Sequence, residues 1–269
     1  MSFIDHLEAL RWHIIRAVLF VFAASIVFFL FIDTLFDKVI MGPTRNDFIS
    51  YRALCSLSHR LGLGESLCMP PIEMKLQVTS VSGTFMSSIT MAITSAVVVG
   101  FPYLLWEVWR FVKPALRPEE LRHTRGVIFW ISLFFFIGAA FGYFMLAPFT
   151  FNFLANYKIG TADMLDYRPT LADYLDTLTD ITLGTGLAFE LPMASWLLSN
   201  MGILTPDFLR EYRKYAYVAL LVIAAVITPS PDWGSQLVVV VPLVMLYEVS
   251  ILISARVTRK QERKMKEWG

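Results

Sequence analysis

Charge is scarce in this sequence, and recognisable chemistry is scarcer. Asp, Glu, Lys and Arg make up only 17% of the residues, and they nearly cancel, to a formal net charge of +1. No Lys/Arg run interleaved with aromatics offsets that balance, which argues against a nucleic-acid partner. The four histidines (His6, His13, His59, His123) form no ligand motif, and none falls inside an apolar run. A Ser elbow, an HExxH, a Walker A loop and a GxGxxG are all missing, so neither an enzyme nor a nucleotide-driven pump is expected, and no cofactor or metal. No internal repeat, low-complexity tract or second domain is visible. A cleavable signal peptide is not expected either. The first apolar run is too long, lacks a small-residue cleavage site, and follows the polar segment Ser2–Arg11.

What the chain does have is apolar surface. Of its 269 residues 56% are hydrophobic and 14% aromatic, with a mean hydropathy of +0.59, more than a soluble core could hide. A spanning helix needs about 20 apolar residues, and six segments reach or approach that. They are Ile14–Ile32, about 83–111 with Pro102, Val127–Phe149, about 175–201, the short Tyr215–Ile227, and Gln236–Ala255 with Pro242 and Glu248. The expected fold is an all-α integral membrane bundle of six spans. A single domain covers residues 1–255, and a basic tail, 256–269, is either a solvated helix end or disordered.

Prolines 102, 148, 192 and 242 put breaks or kinks into four of the six spans, and each needs protein or water around the freed backbone. Bent helices side by side make a concave wall. Orientation follows from basic residues. With the N-terminus in the cytoplasm, sixteen of the 23 Lys and Arg fall on that side, among them Arg11, Arg16, Arg110, Arg122, Arg213 and Arg256. Both termini are therefore expected inside.

The first external loop, Asp33–Ser82, reads as a cap of short amphipathic helices, with Leu54, Leu57 and Leu61 at helical spacing and Gly62, Gly64, Pro70 and Pro71 as breaks. It carries both cysteines, Cys55 and Cys68. They are either free thiols or, in an oxidising compartment, a loop-closing disulfide. The second external loop, Asn156–Asp173, is acidic and aromatic.

Acidic residues in or beside the spans are the candidate functional groups. Glu190 stands in the run Ile181–Met201, two residues before Pro192, with no basic residue in the run to pair with it. A charge at mid-bilayer costs roughly 2.5–3.5 kcal/mol on insertion scales, so such a residue marks a functional site or sits protonated in a packed interior. Glu248 suits an interfacial structural role. Glu107 is explained by an i,i+3 pair with Arg110. Asp232 suits a turn or the N-cap of the sixth helix. Glu119 and Glu120 stand out in an otherwise basic loop. They complement a helix N-terminus after Pro118, bind a basic ligand through guanidinium–carboxylate pairing, or do both. Phe3–Arg11 has apolar residues at i, i+3, i+4 and i+7 and reads as an interfacial amphipathic helix.

Six stretches together carry a resemblance. They are His6-Leu7-Glu8-Ala9-Leu10-Arg11; Phe101-Pro102 with Trp109-Arg110-Phe111-Val112-Lys113-Pro114-Ala115-Leu116 and Glu120; Gly138-Ala139-Ala140-Phe141-Gly142-Tyr143-Phe144; Phe189-Glu190-Leu191-Pro192; Gly202-Ile203; and Thr228-Pro229 with Asp232. In this order they resemble the TatC family, the receptor subunit of the twin-arginine protein translocase, along nearly the whole chain. The resemblance implies a six-helix cup in a bacterial inner membrane with both termini cytoplasmic. Such a receptor binds twin-arginine signal peptides of folded cargo and assembles with TatA- and TatB-like single-span partners, in one or several copies, for transport driven by the proton-motive force. By position, Glu120 would accept the paired arginines, with Glu8 and Arg11 of the N-terminal motif beside it, and Glu190 would meet a partner or signal helix. One departure is Ala9, where the family commonly has an acid; Glu8 lies one position earlier and about 100° around the helix. Two other readings remain beside this one: a proton-coupled small-solute transporter with Glu190 as the coupling carboxylate, and a scaffold for single-span proteins.

Overall fold

Backbone in hydrocarbon must satisfy its own hydrogen bonds, so the apolar runs become helices. The computed structural model describes residues 3–45, 47–60, 62, 68, 74–113, 126–156, 168–228 and 233–268, and only the backbone of 3–7, 57, 233–235 and 264–268. Helix α1 (Phe3–Leu30) is followed by the turn α2 (Ile32–Leu35), a π turn over Phe36–Ile40, a 3-10 turn over Gly42–Thr44 and α3 (Ile49–Arg60). Next come α4 (Gly83–Val112), α5 (Val127–Phe141), a second π turn over Gly142–Leu146, and α6 (Ala147–Asn156). The remainder is α7 (Leu171–Ala188), α8 (Leu191–Asn200), α9 (Pro206–Glu211), α10 (Arg213–Ile227) and α11 (Trp233–Trp268). Outside helices, the described residues contain one isolated bridge, Gln77 with Thr170.

Among the described residues, five helical stretches are long and apolar enough to cross a membrane: Glu8–Leu30, Gly83–Val112, Val127–Asn156, Leu171–Asn200 and Gln236–Arg263. Helix α10 has 15 residues, about 22 Å at ~1.5 Å per residue, and is the short sixth. Two expectations need correcting, and a third narrows to one of its alternatives. Phe3–Arg11 is not a separate interfacial helix; no Gly or Pro follows it, so α1 runs on unbroken into the span. His13 therefore lies inside a span. Of the two alternatives for the tail, the solvated helix end holds, because α11 continues to Trp268.

The prolines act unequally. Pro102 and Pro242 sit within unbroken helices, whereas Pro192 opens α8 after a turn at Phe189–Glu190 and Pro148 follows the second π turn. A proline early in a helix gives up an N–H that would have had no intrahelical partner anyway.

Helix α1 packs along α4, α5 against α7, α8 against α11, and α10 against α11. Leu146, Phe151, Tyr174, Leu178, Ile181, Leu220 and Leu243 form a single buried cluster. Large apolar side chains such as Val18, Phe22, Leu30 and Val226 point outward, as a lipid-facing wall requires. At the α5–α7 contact the two backbones come close. A Cβ on Gly138 would stand 2.6 Å from the Thr185 carbonyl oxygen, and one on Gly142 would stand 2.8 Å from that of Ile181. Two glycines four residues apart let the helices meet backbone to backbone.

Tyrosine hydroxyls tie the cap to the bundle. Tyr174 donates to the Ile40 carbonyl (2.5 Å), Tyr143 to that of Val39 (2.6 Å), and Tyr51 of the cap to that of Pro148 on α6 (3.3 Å). Burial holds the Tyr51 phenol well above its usual pKa, so it stays a donor across the physiological range. Cys55 and Cys68 are joined as a disulfide, Cα atoms 4.4 Å apart, closing a separation of 13 residues at the end of α3. The imidazole of His59 lies beside them, its Nδ1 3.8 Å from Cys55 Sγ. With the sulfurs bonded to each other, this trio is not a thiolate donor set for a metal.

Replacing Gly142 by Val must force α5 and α7 apart. Overpacking of this kind typically costs about 1–3 kcal/mol. The full-length protein in detergent should unfold at a lower temperature, while Ala140→Val, on an exposed face of the same helix, should change little; equal shifts would move the tight contact elsewhere.

Candidate docking site

Glu107, Glu248 and Glu190, three of the acids in the described spans, differ in how they are held. Glu107 on α4 is buried, with 2% of its surface exposed, and is saturated with partners. His13 Nδ1 on α1 lies 2.5 Å from its Oε2, and the Tyr103 hydroxyl donates to its Oε1 at 3.2 Å. Arg110 completes the group at 3.5 Å and lies over the Trp106 ring. An ionised carboxylate only accepts, so the proton of the His13 contact sits on Nδ1. The pairing of Glu107 with Arg110 alone was too small an account, since the partner that joins two helices is His13. One hint was legible: Tyr103, Glu107 and Arg110 are spaced i, i+4 and i+7, on one face of α4. Glu248 on α11 accepts from Arg213 (2.8 Å) and Tyr217 (2.5 Å) on α10, which makes it a tie between two helices.

Glu190 is the exception. Both of its carboxylate oxygens are buried, and neither meets a hydrogen-bond partner among the described residues. The Phe135 backbone on α5 approaches it, but with geometry too poor for a hydrogen bond. Glu190 occupies the N-cap position of α8, where an acid would normally fold back onto the first free N–H groups. It does not cap. Pro192 has removed one of those donors, and the side chain turns toward α5 instead. The structure thus leaves an acceptor of high capacity inside a span, at a break in the helix.

Between α4, α5 and α7, under the cap, lies a hollow of about 610 Å³ lined by apolar side chains and a short polar stripe. Thr179 donates to Thr94 at 3.5 Å, and the buried Thr182 hydroxyl has no partner among the described residues. The expected concavity is present; its threonines were not foreseen, because isolated Thr in an apolar run gives no periodic signal.

Of the other expected site residues, Glu8 and Arg11 are exposed on α1, with the Arg11 guanidinium 5.6 Å from the Trp12 ring centre. Glu119, Glu120 and Asp232 lie outside the described residues. Among the described residues, no nucleophile, base and oxyanion donor come together. The arrangement suits docking of polar groups from other helices or extended peptides.

A multi-helix membrane protein with acidic side chains set inside its spans is the class that this geometry defines. Comparison narrows it. The family model for Sec-independent protein translocase protein TatC matches residues 5–242. A TatC of Blattabacterium is 33% identical over 97% of both chains, and one of Halalkalibacterium halodurans is 35% identical over 98% of this chain and 92% of its own. The crystal structure of the twin-arginine translocase receptor TatC superposes with a TM-score of 0.68 at 26% identity, covering 94% of this chain and 99% of its own. The same receptor in DDM gives 0.71 at 25% identity, over 93% and 99%. The chain belongs to the TatC family of protein translocase components, as a multi-pass membrane protein.

Removing the buried Glu107 carboxylate leaves its half-buried partners His13 and Tyr103 without an acceptor. Breaking a buried pair costs about 3–5 kcal/mol, and this one, close to the end of a span, should fall near the lower figure. Glu107→Ala should lower the unfolding temperature of the full-length protein in detergent clearly more than His13→Gln, which keeps a donor opposite the acid. Equal losses would show that His13 contributes only volume.

Proposed function

We propose that this protein is the receptor subunit of a twin-arginine translocase, reading signal peptides at the cytoplasmic rim and engaging single-span helices inside the membrane. Both termini lie in the cytoplasm of a bacterial cell, and the membrane is the inner one. Glu120, with Glu8 and Arg11 nearby, receives the paired arginines; a carboxylate matches the planar guanidinium fork, which lysine lacks. Glu190 receives a polar group from the signal helix or from a TatA- or TatB-like partner, and several copies of the chain assemble with them. The proton-motive force drives the transport step.

One observation carries this reading: Glu190 is a buried carboxylate without a hydrogen-bond partner among the described residues, set at a helix break inside a span. An unsatisfied acceptor in hydrocarbon is relieved when a donor docks beside it, which favours helix association there. Membership of a translocase family supplies the kind of partner, and the solved relatives are named as twin-arginine receptors. Family membership also removes the ground for the small-solute transporter.

Photo-crosslinking in native membranes tests the division of roles. A signal peptide with Arg-Arg should be captured and its Lys-Lys counterpart should not. Glu120→Ala should cut capture about tenfold or more, the worth of a charged hydrogen bond. Glu190→Gln should leave capture nearly unchanged while export of a folded passenger collapses. Equal capture of both peptides would overturn the receptor reading, and lost capture in Glu190→Gln would merge the two sites.

A further inference from the structure

Helix α11 is longer than a membrane requires, and its excess is organised. Its 36 residues span about 54 Å at ~1.5 Å per residue, against a hydrocarbon core of roughly 30 Å. The apolar stretch 236–255 fills that core. Because those 20 residues suffice for the core, the unbroken helix from Arg256 on falls at headgroup depth.

In that layer Arg256, Arg259, Lys260 and Arg263 are all exposed. At roughly 100° per residue they fall within an arc of about 100°, at the i, i+3, i+4, i+7 spacing of one helix face. The opposite face is pinned to the bundle. Ser199 on α8 donates to Ser254 at 2.8 Å, and Gln261 donates to the Asn200 carbonyl at 3.1 Å. Ser254 and Gln261 lie within about 20° of each other and roughly half a turn from the middle of the basic arc. The chain's own contacts therefore fix the rotation of this segment, and the stripe faces away from α8. Glu262, the acid among the residues between 256 and 263, lies about 100° off Arg263 and outside the arc.

We propose that this stripe is a binding surface for the phosphodiester headgroups of anionic phospholipids in the adjoining leaflet. Three features commit it to lipid over a protein partner. The stripe continues directly from a span, its first two turns stand at headgroup depth, and it faces outward from the bundle. Arg binds phosphate oxygens in pairs through its planar fork, and basic clusters next to a span attract anionic lipid. The inference is independent of how Glu120 and Glu190 are used, and of which side of the membrane the tail occupies.

The test uses purified full-length protein in neutral detergent, with bound lipid counted by native mass spectrometry after exposure to equal phosphatidylglycerol and phosphatidylcholine. The unaltered protein should retain phosphatidylglycerol preferentially. The quadruple variant Arg256→Gln, Arg259→Gln, Lys260→Gln, Arg263→Gln should lose at least about fivefold of that preference, a modest expectation for four headgroup-level charges. A control that neutralises four charges on the cap, Lys38→Gln, Arg45→Gln, Arg52→Gln and Arg60→Gln, should keep it. Three results would each overturn the proposal: an unchanged preference in the tail variant, an equal loss in the cap variant, or displacement of the lipid by millimolar inorganic phosphate.

Discussion

The contact between α5 and α7 sets the geometry of the bundle's interior. In lipid there is no hydrophobic drive to press two helices together, so association rests on close packing and on polar contacts. Gly138 and Gly142 supply the closeness, admitting the Thr185 and Ile181 carbonyls at distances a side chain would forbid. Gly186 does the same from the other side, where a Cβ would stand 2.7 Å from the Phe135 ring. Phe135 is in turn stacked on Phe101 of α4, ring centres 3.6 Å apart. Helix α7 is thereby locked in height and rotation up to its last turn. The break at Phe189–Glu190 comes directly after that turn, so the position of Glu190 follows from where the glycines are.

Within this frame the three acids differ by their surroundings and not by their chemistry. Glu107 and Glu248 each meet donors on a second helix, and those charges become struts: α1 to α4 in one case, α10 to α11 in the other. A buried charge with good partners is roughly neutral for stability but strongly resists separation of the helices that share it. Glu190 has lost both of the usual remedies. Pro192 reduces its capping options, and no described side chain of α5 bonds to its carboxylate. Its cost is not met by any described group of the chain.

Much of this architecture was readable in advance, because lipid leaves helices few alternatives. The apolar runs located the spans to within a few residues, and Pro192 beside Glu190 announced a broken helix with an acid at the break. What was not readable came from pairing over long distances. His13 and Glu107 are 94 positions apart, and no periodicity on α1 points at α4. The tyrosines that hold the cap reach 104 and 134 positions back, to carbonyl oxygens that carry no residue-specific signal. The continuity of α1 failed to register, and that of α11 stood as only one of two alternatives, for another reason. A change from apolar to polar composition looks like the end of a helix, yet composition reports the surrounding medium, and only Gly, Pro or a competing cap ends the hydrogen-bond ladder.

These long-range ties bear on the open acceptor itself. An unsatisfied carboxylate persists only where the surrounding structure prevents it from finding relief. A looser wall would let α8 slide or rotate until Glu190 reached its own helix N-terminus, a threonine or water at the surface. Here α8 is fastened to α11 through Ser199–Ser254 and Asn200–Gln261, α7 is clamped against α5, and the cap is tied down by tyrosine hydroxyls. Rigidity around Glu190 is thus what keeps its carboxylate without a partner among the described residues. The same fastening of α8 to α11 sets the rotation of the basic stripe, so the acceptor inside the membrane and the cations at its edge are oriented by one set of contacts.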